Sequence, residues 1–147
     1  MFKLRKNLGA TLLLVSFLAA GCSSFSRDWK TTAFGPTAGL IDGPWEGTWK
    51  SDDSGHHDRL RCLIRAEGAG AYQARFRANY RKIIRFSYTV NLVGTETNGL
   101  FLFRGEADLG RLAGGIYHYE GETSATNFFS TYRCRYDHGT FQLSRPK

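Results

Sequence analysis

The sequence predicts an all-β domain: a single small antiparallel up-and-down barrel of eight strands, with a β-sandwich as the alternative. Three observations lead there. Apolar and polar residues alternate with period two over long stretches from Trp45 onward, the signature of strands with one buried face. Glycine is abundant at 17 residues, proline is scarce at 3, and aromatics make up 14% of the chain, a composition of turns and pleated faces. Turn signals recur at short intervals, and no segment sustains a 3.6-residue period, so no long helix is expected in the domain.

The elements follow in order. Trp45 to Ser51 opens the series. Arg59-Leu60-Arg61-Cys62-Leu63-Ile64-Arg65 alternates charged and apolar residues nearly throughout. In Tyr72 to Tyr80 the alternation is stricter, placing Tyr72, Ala74, Phe76, Ala78 and Tyr80 inward and Arg75 and Arg77 in water. Ile84 to Leu92 sets Phe86 and Tyr88 on one face with Ile84, Val90 and Leu92. Asn98-Gly99 is a hairpin signal before Leu100 to Asp108. Gly115 to Gly121, Phe128 to Tyr136 and Thr140 to Arg145 complete the set, the last preceded by a tight turn at Asp137-His138-Gly139. Eight short strands in about 100 residues can close on themselves, which removes exposed edges.

Upstream the chain changes character. Lys3, Arg5 and Lys6 precede an apolar run from Leu8 to Ala20, and Ala19-Ala20-Gly21-Cys22 supplies a small-residue exit. This is the layout of a secretory signal peptide, and the run is short of the ~20 residues that span a bilayer. With a cysteine at the exit, residues 1–21 resemble the lipobox signal of bacterial lipoproteins. The resemblance implies acylation of Cys22, and Ser23 behind it implies sorting to the outer membrane, facing the periplasm. An ordinary signal peptide cut near Gly21 is the competing reading. Residues 22–42 lack sustained periodicity and read as a tether, spanning at most ~70 Å when fully extended. Trp29 and Phe34 could dock on the barrel or sit at the lipid interface. Residues 43–147 form the barrel domain.

Cleavage would leave about 126 residues, one small domain, and would lower the net charge from +7 to +4. That charge favours anionic partners, lipid head groups or cell-wall polymers among them. Export separates the chain from nucleic acid, which is therefore not an expected partner. With Cys22 acylated, Cys62 and Cys134 remain as an even pair for a disulfide in an oxidising compartment. Both face inward, however, and a simple meander separates them by three strand spacings, well beyond the ~7 Å between Cα atoms that a bridge tolerates.

Gly47-Thr48-Trp49, with the looser Gly43-Pro44-Trp45 before it, resembles the Gly-x-Trp signature on the first strand of lipocalins and related calycin barrels. The resemblance implies a tryptophan that plugs one end of the barrel.

The residues offer little catalytic chemistry. His56-His57-Asp58 reads as a solvated polar turn, because adjacent histidines on an extended chain point to opposite sides. Glu106, His118 and Glu120 fall on the outward parity beside Arg104 and Arg133, where cross-strand ion pairs explain them. No nucleophile elbow, phosphate loop or zinc-protease helix occurs, and no metal or cofactor is expected. The feature with a functional edge is the inward set Trp49, Tyr72, Phe76, Tyr80, Phe86, Tyr88, Tyr117, Tyr119, Tyr132 and Tyr136. These residues either fill the lumen or line a cavity for a small apolar or aromatic ligand. The expected role is a non-catalytic binding or scaffold module that meets such a ligand or an envelope protein. Inhibition of a lytic enzyme, as by periplasmic lipoproteins that block lysozymes with a small barrel, is the alternative.

Overall fold

Period-two alternation becomes a wall with an inside and an outside. The computed structural model describes residues 24–33, 35 and 39–147, and within them eight antiparallel strands close in the order β1 to β8. They are β1 (Gly43–Ser51), β2 (His57–Gly68), β3 (Ala71–Tyr80), β4 (Ile84–Thr97), β5 (Leu100–Asp108), β6 (Ile116–Thr123), β7 (Asn127–Arg133) and β8 (His138–Ser144). Each strand pairs with its sequence neighbour, and β1 pairs with β8 through Trp49 opposite Phe141 to close the barrel. Residues 1–21, read as a signal peptide, lie outside the described residues, as do Cys22 and Phe34.

The predicted inward parity holds. Leu60, Cys62 and Ile64 of β2, Ala74, Phe76 and Ala78 of β3, and Phe101 and Phe103 of β5 are buried, while Arg59, Arg65 and Arg104 are exposed. A one-residue slip would turn each of these sets inside out, so burial itself fixes the register. β7 ends at Arg133, earlier than the sequence pattern suggests. Cys134 to Asp137 instead make the turn into β8, with Cys134 N–H donating to Asp137 O at 2.8 Å.

The two ends of the barrel differ. One is sealed by Trp45, which is fully buried. Its Nε1 donates to Ile41 O at 2.9 Å, and the Arg145 guanidinium lies 3.9 Å from its ring centroid. Arg145 also donates to the carbonyls of Leu40, Asp42, Pro44 and Ala125, tying both flanks of the barrel over the plug. The resemblance implied a tryptophan at one end without choosing between the two Gly-x-Trp copies, and Trp45 takes that place. Four residues further along β1, Trp49 reaches the opposite, open end, and Trp45 of the looser motif takes the sealing position.

The segment read as a bare tether contains a helix over residues 24–32. Phe25 and Trp29 stack at 6.0 Å and are buried with Leu63 on the outer wall. Arg61 lies over Trp29 at 4.7 Å, and Arg75 and Arg77 each lie 5.7 Å from Phe25. Asp28 closes the contact with a 2.7 Å ion pair to Arg75. Arg75 and Arg77, expected in water, are thus half-covered by the helix, and Trp29 docks on the barrel. The four-residue spacing of Phe25, Trp29 and Ala33 is the apolar stripe that makes this possible.

Candidate functional site

The open end of the barrel is a cup of about 710 Å³, inside the range of small-molecule sites, ~300–1,000 Å³. Strand direction decides what builds it. The last residues of β1, β3, β5 and β7 and the first of β2, β4, β6 and β8 meet there, with the loops 52–56, 81–83, 109–115 and 134–137 as its rim. Leu60, Ala78 and Phe141 contribute its apolar lower wall.

Aromatic rings line the sides in two groups. On one side Trp49 stacks on Tyr80 at 6.3 Å, and the His56 ring packs against both at 5.3 and 4.7 Å. Trp49 is held by Nε1–H donating to Asn79 O at 2.9 Å. Across the lumen Tyr117 packs on Tyr119 at 6.3 Å and on Tyr132 at 6.1 Å. Phe86, Tyr88 and Tyr136 complete the lining. Of the ten residues singled out from sequence, eight therefore converge on the cup. Phe76 lies deeper, in the core, with its ring against Tyr88, Tyr119 and Phe141. Tyr72 sits toward the sealed end, edge-on to Phe101 at 5.0 Å.

The polar groups of the cup are few and mostly committed. Tyr132 Oη donates to Asp137 at 2.9 Å, and Ser51 Oγ donates to the other oxygen of that carboxylate at 2.6 Å. Tyr117 Oη donates to Ala113 O at 2.9 Å, fastening the β5–β6 connection over the mouth. Tyr119 differs: its hydroxyl is buried with no partner at hydrogen-bond geometry, although the Tyr88 hydroxyl lies nearby. His56 Nε2 is likewise buried without a partner. A buried polar atom left unmet costs about 1–3 kcal/mol.

Sequence reasoning missed the β5–β6 connection as part of the site. Leu109, Leu112, Ala113 and Gly114, around the 3-10 turn Arg111–Ala113, line the mouth. Two leucines in a short loop were the available signal. Also missed were Cys134 and Asp137, which lie past the end of β7. Cys62 and Cys134 are both free, the outcome that the strand spacing favoured over a bridge. β1 and β8 stand between the strands that carry them, as the strand count requires.

Outside the cup, His118 Nδ1 and Glu106 Oε1 pair at 2.9 Å on the outer wall, and Arg104 stands opposite Glu120. These groups lie on the outward face read from sequence, where His118–Glu106 is the pair that forms among them. In the His56-His57-Asp58 turn, Asp58 accepts the backbone N–H groups of Lys82 at 2.8 Å and Arg59 at 2.7 Å. The Lys82 bond first and the Arg59 bond second hold its carboxyl below the ordinary value of 3.8.

Burial pushes the hydroxyls of Tyr88, Tyr117, Tyr119 and Tyr132 above their ordinary value of 10.0, and the Cys62 thiol above 9.0. In the unfolded chain these groups ionise first. Their contribution to stability is therefore complete below the unfolded values and is lost as pH rises toward the folded ones. The urea midpoint should be level near pH 8 and fall steeply from about pH 9.5 upward. A midpoint that stays flat to about pH 11 would show these groups to be solvated.

Comparison with models of known protein families, with curated proteins and with solved structures finds no match to this chain.

Proposed function

We propose that this chain is a lipid-anchored binding protein of a bacterial envelope whose barrel holds one small, mainly apolar or aromatic molecule. The cup carries the reading. It combines about 710 Å³ of open space with aromatic walls and the unpartnered Tyr119 hydroxyl inside. A neutral ligand with one polar atom would satisfy that hydroxyl while its rings or chain meet Trp49, Tyr80 and Tyr117. Among the described residues no lysine or arginine lines the cup, so a ligand anion would find no cation among them. The role is non-catalytic, and the anchor is Cys22, on the resemblance of residues 1–21 to a lipoprotein signal. The outer membrane, with the barrel in the periplasm, is the address that Ser23 favours.

A neutral fluorescent probe, N-phenyl-1-naphthylamine, should bind the wild-type chain in the micromolar range. Ala78→Trp, which adds a large side chain to the lower wall, should weaken it at least tenfold, about 1.4 kcal/mol. Native mass spectrometry of the protein taken from its own membrane should show a retained mass, and Cys22→Ser should abolish palmitate labelling. A wild-type chain that neither retains a mass nor binds the probe overturns the cup as a binding site. Unchanged labelling of Cys22→Ser overturns the anchor.

A further inference from the structure

The tip of the β3–β4 hairpin breaks a local rule that the same barrel obeys elsewhere. Arg81 and Lys82 both lie in the left-handed region, at φ 51° and 62°, with Ile83 N–H closing the turn onto Tyr80 O at 3.3 Å. Two successive residues at positive φ ordinarily select Asn-Gly. The β4–β5 hairpin at the other end of the barrel follows that preference with Asn98 and Gly99 at φ 54° and 75°. An Arg-Lys pair in such a turn runs against conformational preference, and a strained position of this kind points to function in its side chains.

What surrounds the tip is equally uneven. Ile83 is 85% exposed, Leu112 is fully exposed and Tyr136 is 68% exposed; Ile84 and Phe86 add further apolar surface. Three separate connections therefore raise apolar side chains at the same open end. Basic residues are interleaved with them: Arg81, Lys82 and Arg85 on the first hairpin, Arg111 on the second, Arg135 on the third. No ion pair among the described residues involves any of these five. The carboxylates at this end keep their charge, but each is engaged by a local partner. Asp52 and Asp53 face His138 at 4.0 and 3.1 Å, Asp58 holds two backbone N–H groups, Asp108 caps Gly110, and Asp137 is shared by Ser51 and Tyr132.

We propose that the open rim of the barrel docks on an anionic lipid bilayer, with Ile83, Leu112 and Tyr136 entering the head-group region and Arg81, Lys82, Arg85, Arg111 and Arg135 meeting lipid phosphates. Apolar tips among cations are the pattern of interfacial binding, in which burial and attraction to anionic lipid act together. The inference does not depend on what the cup contains.

Hydroxyl-radical footprinting of the mature protein, with vesicles of phosphatidylcholine alone and with about one third phosphatidylglycerol, tests it locally. Anionic vesicles should protect Ile83, Leu112 and Tyr136, and should leave Leu102 and Phe129, exposed on the outer wall, as reactive as before. A triple variant, Arg81→Gln, Lys82→Gln and Arg85→Gln, should need about a hundredfold more anionic lipid for the same protection. Rim labelling unchanged by anionic vesicles overturns the proposal, as does protection that the triple variant retains in full. Because the readout is confined to the rim, attachment through Cys22 alone cannot mimic it, and the probe assay on the cup reports separately.

Discussion

Trp45→Ala should unfold the barrel at a temperature lower by something on the order of 15–25 °C, from a loss of about 3–5 kcal/mol. The side chain is fully buried at the sealed end and packs on Phe128 at 5.9 Å. Truncation opens a cavity against strands that cannot collapse, because both flanks are tied through their carbonyls to Arg145. It also leaves Ile41 O without its donor and the guanidinium without the ring beneath it. Arg145 is half-buried, and that burial lowers its pKa, yet the guanidinium stays charged and needs these same contacts. Circular dichroism melting of both proteins decides the matter, and a shift of only a few degrees would mean that Trp45 is not the plug.

Gly139→Val should be nearly as damaging, costing about 3 kcal/mol, for a different reason. A Cβ at this position would fall 1.9 Å from Lys50 O and 2.8 Å from Tyr132 Oη. Gly139 pairs with Ser51 at the β1–β8 seam. A backbone oxygen cannot step aside as a side chain can, so the seam must part. Amide exchange should report this directly, with β1 and β8 losing protection first while β3 and β4 keep theirs. Uniform loss across all strands would instead indicate general destabilisation.

The strands were legible because their signal is repeated. Each inward residue of β3, from Tyr72 to Tyr80, agrees with the next, and eight such runs leave few ways to hide their apolar faces. The cup was legible for the same reason, since tyrosines on that parity have to point into the lumen. Whether they would fill it or line it depended on rim loops whose side chains carry no period, Leu109 and Leu112 above all. The helix was missed because its stripe is three residues long: Phe25, Trp29 and Ala33. Arg145 was missed because it acts through carbonyls, which no sequence displays. Trp49 and Trp45 carry similar local motifs, and only their position along β1 decides which one seals an end.

Under the proposed anchor, the docked helix would also set how far this protein can travel. Pinned to the wall from Ser24 onward, a chain anchored at Cys22 would keep a leash of two residues, at most about 7 Å, where an undocked segment of twenty would give about ten times that. Such a barrel would not patrol the space above the bilayer. With the rim docked as proposed, whatever enters or leaves the cup would reach it by lateral diffusion in the plane of the membrane.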